Sequence, residues 1–133
     1  MTDTPVPAPS VWPTFRAHDA KGLIRFLTEA FGFETVVLYD EGDTVHHAEL
    51  RWPEGGGVML GSVREGDASV AAPGSSSAYV VTSDPDALHA RAVEAGATIT
   101  QPLFDTDYGS RDFAAVDPEG NHWAFGTYRG HHD

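Results

Sequence analysis

The chain has 133 residues, 41% of them hydrophobic and 21% charged, enough for one domain with a real core. Twenty acidic residues against 8 basic ones give a formal charge of -12, which argues against nucleic acid because each phosphate contact needs Lys or Arg. No apolar run is long enough to span a bilayer, and cysteine is absent, so neither a membrane anchor nor a disulfide framework is expected and the cytoplasm is the default location.

Residues 1–10 carry three prolines and read as a loose arm rather than a signal peptide. Val11 to Ala17 is a first strand. Asp19 then stands where a helix N-cap belongs, and Leu23, Leu27, Ala30 and Phe31 recur at helical spacing until Gly32 stops the run. Thr35 to Tyr39, His46 to Trp52 and Val58 to Gly61 read as three further strands, the last two joined by a Pro-Glu-Gly turn. Residues 64–77, rich in Gly, Ser and Ala, form a linker. The same order then returns: Ala78 to Ser83 as strand, Asp84 as N-cap with Pro85 in the first turn, and Leu88, Ala92 and Ala95 on one helix face before Gly96. Ile99 to Phe104, Asp112 to Val116 and His122 to Thr127 complete it, and residues 129–133 are tail.

The return is a repeat. A shift of 65 residues aligns the chain with itself without gaps and gives 11 identities over positions 11 to 63, among them Asp19 with Asp84 and Pro53-Glu54-Gly55 with Pro118-Glu119-Gly120. Ordinary composition gives roughly three or four by chance. The expected architecture is therefore α+β: two tandem βαβββ modules, 11–63 and 78–128, within one structural domain. Curved mixed sheets would enclose a cleft, with helices on the outer face.

Two such modules in about this length resemble the vicinal-oxygen-chelate superfamily, the glyoxalase, bleomycin-resistance and dioxygenase group. The most specific piece is Asp117-Pro118-Glu119-Gly120-Asn121, which is similar to the turn before the final strand of such proteins. His47-Ala48-Glu49-Leu50, Met59-Leu60-Gly61-Ser62, Tyr108-Gly109-Ser110-Arg111 and Phe125-Gly126-Thr127-Tyr128 carry the rest of the resemblance. It implies a divalent metal held by four side chains, from the first and last strand of each module. Those positions fall on Met59 and Ala124, and on Trp12 and Ser77 or Ala78. Alanine has no donor atom, and a thioether suits soft copper rather than zinc, nickel or manganese. No metal and no other cofactor is expected.

Strand alternation selects the residues that line the cleft. Ala48, Leu50, Trp52, Phe113, Ala115, Val58, Leu60, Trp123, Phe125, Phe15 and Ala17 point to the helices. The opposite face receives Trp12, Thr14, Arg16, His47, Glu49, Met59, Tyr79, Asp112 and His122, with Tyr108 on a turn beside them. Aromatic and apolar surface with a few convergent polar groups suits a small organic molecule. The resemblance then implies a binding protein of the bleomycin-resistance type, which sequesters a drug without chemistry; the negative charge would favour a cationic ligand, although Arg16 would suit an anion. The alternative is a lyase or isomerase of the glyoxalase or dioxygenase kind, with His47, Glu49 and His122 as acid/base groups or a displaced metal site. A homodimer is expected in either case, because an open curved sheet cannot bury its own concave face.

Overall fold

The computed structural model describes residues 8–131; seven residues of the expected N-terminal arm and the last two of the tail lie outside them. The elements run β1 (Thr14–Ala17), α1 (Ala20–Phe26), β2 (Glu34–Glu41), β3 (Thr44–Arg51) and β4 (Gly57–Ser62). They then repeat as β5 (Ser77–Val81), α2 (Pro85–Glu94), β6 (Thr98–Asp105), β7 (Arg111–Val116) and β8 (His122–Gly126). The two mixed sheets have the same topology, β1-β4-β3-β2 and β5-β8-β7-β6. In each, the first strand runs parallel to the last and the other pairs are antiparallel. Among the described residues, no helix is long and apolar enough to cross a membrane.

The local reasons are those the sequence supplies. The Asp19 carboxylate accepts the Gly22 N–H at 3.0 Å, and Asp84 accepts that of Ala87 at 3.1 Å. Each satisfies a donor that a helix start leaves unpaired. Gly32 and Gly96 follow the helices with φ of 89° and 87°, left-handed conformations that glycine adopts without strain. Two features were not foreseen. The first helix continues as a wider π-helical turn, Leu27–Phe31, within which Leu27, Ala30 and Phe31 are buried. In β3 the register steps from Tyr39↔His47 to Asp40↔Val45, so His46 is an extra bulged residue turned to solvent.

One core serves both modules. Trp123 of β8 stacks on Phe15 of β1 with ring centroids 5.1 Å apart, and Phe33 meets it edge-on at 5.6 Å. Trp52 and Phe113 approach Phe125 at 6.1 Å and 5.1 Å. Burial alternates along the strands as the hydrophobic pattern requires: Ala48 and Leu50, Val58 and Leu60, Phe113 and Ala115 are all buried. The Pro-Glu-Gly turns tie the modules together reciprocally. Glu119 accepts the backbone N–H of His18 at 2.6 Å and of Asp19 at 3.0 Å, ahead of α1. Glu54 accepts that of Ser83 at 2.8 Å, ahead of α2. The repeat thus places a carboxylate from each module at the helix start of the other, where it is favoured electrostatically.

Candidate functional site

With the helices covering one face of each sheet, the other face stays open, and both open faces can be built residue by residue. On the first module, β1 and β4 pair with Thr14 beside Met59, and β3 brings Glu49 to the other side of Met59. Glu49 pairs with neither Arg16 nor Arg51. Its carboxylate meets His47 Nε2 at 2.7 Å, both side chains being half-buried. Trp12 lies just before β1, with its ring over Gly57, where any Cβ would collide with it. Arg16 is committed to Asp67 of the linker at 3.0 Å. The Asp67 carboxyl is drawn down to about 2 by the Ser69 hydroxyl and N–H and by the Arg16 guanidinium. Arg51 pairs with Glu34 at the sheet's outer edge.

The second module has the same frame with different contents. β5 and β8 set Tyr79 beside Ala124, and β7 sets Ala114 on Ala124's other side. These small residues floor a groove of about 270 Å³, lined also by Ser77 and His122. Beyond Tyr79 lies Asp112, only 8% exposed. One of its carboxylate oxygens accepts the Ser110 hydroxyl and the Tyr79 hydroxyl, the latter at 3.2 Å. The Tyr79 oxygen in turn accepts the Tyr128 N–H at 3.2 Å. Burial, together with the neighbouring Asp112 charge, raises the Tyr79 pKa above its ordinary value, against the lowering effect of the Ser110 and Tyr128 bonds. Gly126 makes this arrangement fit, since a Cβ there would overlap both the carboxylate and the phenol oxygen. Tyr108 and Tyr128 stand beside the cluster as an edge-to-face pair at 5.5 Å.

The residues named from sequence thus fall into two groups. Trp12, Thr14, Arg16, His47, Glu49 and Met59 share the first module's open face. Tyr79, Asp112, His122 and Tyr108 belong to the second. Sequence reading missed Ser110, which donates to Asp112, Thr127, whose hydroxyl meets that of Ser110, and the aromatic residues Phe104 and Tyr128. The 65-residue offset contains the signal for Phe104: it matches Tyr39, and both face their β3 or β7 partner from the neighbouring strand.

The parallel register also refines where a superfamily metal would sit. The side chains juxtaposed on the first and last strands are Thr14 with Met59 and Tyr79 with Ala124, two residues beyond Trp12 and Ser77. A hydroxyl, a thioether, a phenol and a methyl group do not make a donor set for a borderline or hard divalent cation. Among the described residues, no three His, Asp or Glu side chains gather where a metal could be held.

Comparison with known proteins agrees with this architecture. The model of the Glyoxalase/Bleomycin resistance protein/Dioxygenase superfamily matches residues 11–125, and the chain belongs to that superfamily. Among solved structures, TioX from Micromonospora sp. ML1 is 29% identical, with a TM-score of 0.74 over 89% of this chain and 98% of that one. A glyoxalase/bleomycin resistance protein from Streptomyces sp. CB03234 is 25% identical, with a TM-score of 0.64 over 84% of this chain and 94% of its own. TnmS3, an antibiotic binding protein from the same Streptomyces strain, is 22% identical, with a TM-score of 0.67 over 96% and 98% of the two chains. No curated protein matches the sequence.

Proposed function

We propose that the protein is a metal-independent binding protein for a planar organic molecule, possessing a site rather than a reaction. The observation that carries this reading is the groove floored by Ala114 and Ala124 between Tyr79 and His122. Aromatic side chains supply the largest apolar area for a flat ligand, and a small-residue floor lets a ring lie against the sheet. The positions that would hold the superfamily's metal carry no suitable donors. TnmS3 supports the reading at the level of the fold.

In this proposal the site is completed by a second chain. Tyr39, Tyr79, Phe104, Tyr108 and Tyr128 are all exposed on one protomer. A two-fold dimer would cover such surface and bring Trp12, Thr14 and the His47–Glu49 pair to the rim as an opposing wall, with Arg16 already neutralised by Asp67. Drug sequestration is the role such a site would serve.

The test is calorimetric titration with 2-naphthalenemethanol after chelator treatment. One ligand per protomer is expected, unaffected by added zinc or nickel and weakened by Tyr79→Ala; sedimentation should give twice the 14.3 kDa chain mass. Absence of binding, or binding restored only by metal, would contradict the proposal.

The His47–Glu49 contact favours a second reading, since a carboxylate holding an imidazole is an acid/base arrangement. Turnover that disappears with His47→Ala would establish an enzyme instead.

A further inference from the structure

We infer that Asp112 and the aromatic side chains around it receive an alkylated ammonium group, the cationic end of the ligand whose planar body occupies the Ala114–Ala124 groove. The inference rests on the binding role proposed above and assigns the class of ligand.

A carboxylate removed from water ordinarily has a cation beside it, because desolvation costs several kcal/mol that neutral partners offset only in part. Asp112 is buried, yet the base next to it in sequence, Arg111, turns away to Asp86 and Asp105. Two hydroxyl donors hold one carboxylate oxygen. The other takes no hydrogen bond but is not sealed from solvent, since no buried side-chain oxygen among the described residues lacks a partner. Among the described residues no basic side chain pairs with Asp112, which stands two residues along β7 from Ala114 on the groove's floor.

The aromatic residues linked to Asp112 select the kind of cation. Phe104 faces Asp112 directly across the β6–β7 pair. Tyr79 touches the carboxylate, Tyr128 is bonded to the Tyr79 oxygen through its backbone, and Tyr108 packs edge-on against Tyr128. These four residues are 40–63% exposed, so each leaves part of its surface open to a ligand. Ring faces attract a diffuse cation whose alkyl groups also gain from leaving water. A hard metal ion would need several oxygen ligands where one is offered. A guanidinium would want both carboxylate oxygens for a paired contact, and the Ser110 and Tyr79 bonds already occupy one of them.

The probes share one planar body and differ in charge: (naphthalen-2-ylmethyl)trimethylammonium, 2-naphthalenemethanol and 2-naphthoate, titrated calorimetrically into the intact protein. The ammonium compound should bind about tenfold or more tighter than the alcohol, and the carboxylate weakest. Asp112→Asn keeps an acceptor for Ser110 and Tyr79 and should abolish the preference, so that this variant binds the ammonium compound no more tightly than the alcohol. Tyr108→Ala, on an exposed ring, should weaken the ammonium compound alone, which preserves the test if the Asn variant folds poorly. The overall negative charge persists in both variants, so a cation preference that survives Asp112→Asn would overturn the inference. Equal binding of ammonium and alcohol by the unaltered protein would overturn it and leave the groove intact as a site. Failure of all three to bind would remove the binding role as well.

Discussion

The two open faces are built on one repeat and hold opposite contents. Met59 and Ala124 occupy the same repeat position, as do Glu49 and Ala114, and each pair is in the same strand register. Trp12 corresponds to Ser77 and Gly57 to His122. In the first module a large ring covers a glycine; in the second a serine sits beside an imidazole. Where the first face carries Met59 and the His47–Glu49 pair, the second carries two alanines and a groove. Duplication therefore supplied the scaffold, and the asymmetry between the copies defines the candidate site.

Substitutions at matched positions should separate the modules, the largest effect coming at the glycines of the last strands. Gly126→Ala places a methyl group on Asp112 and Tyr79, and overpacking of this kind costs about 1–3 kcal/mol. Its counterpart Gly61 has its closest neighbours at 3.2–3.3 Å, the end of the flexible Arg16 side chain among them. Thermal unfolding should therefore fall by several degrees for Gly126→Ala and clearly less for Gly61→Ala. Equal shifts would mean that the Asp112 niche is no tighter than its counterpart.

A smaller difference is expected at the reciprocal caps. Glu119 accepts two backbone N–H groups and Glu54 one. Replacement by Ala should cost about 1 kcal/mol for Glu119 and less for Glu54, measured by urea unfolding. The Glu54 carboxyl is partly desolvated, which raises its pKa, but the Ser83 and Thr82 bonds and the Arg129 charge lower it further, for a net depression. A depressed folded pKa gives stability that is present above the unfolded value and lost as pH falls through the folded one. The Glu54→Ala penalty should accordingly shrink in acid; a penalty constant with pH would show that the charge is irrelevant to the cap.

The scaffold was legible in the sequence because its determinants are local. Asp19 and Asp84, Gly32 and Gly96, and the alternation through Ala48, Leu50, Phe113 and Ala115 each act within a few residues, and the 65-residue offset repeats them. Less legible were features fixed by distant partners. The widened turn at Leu27–Phe31 follows from packing Phe31 between Trp123 and Phe125. Arg16 offered a partner for an anion or for Glu49, and only the folded linker brings Asp67 to it. The bracing of Asp112 by Ser110 depends on the tight turn that closes Thr106 onto Ser110. The first strand begins at Thr14, later than the sequence suggested, because Pro13 has no N–H to donate although its carbonyl still accepts from Met59 at 2.9 Å.

The central claim is that the second module's groove, not the first module's open face, holds the ligand's planar body. Ala124→Met gives the second module the residue that the first carries at Met59, on a strand whose side chain there faces away from the core. Calorimetric titration with 2-naphthalenemethanol should show affinity falling by about tenfold or more in Ala124→Met, while Met59→Ala stays within about twofold of the unaltered protein. Unchanged affinity in Ala124→Met, with loss in Met59→Ala, would contradict the account and move the site to the first module.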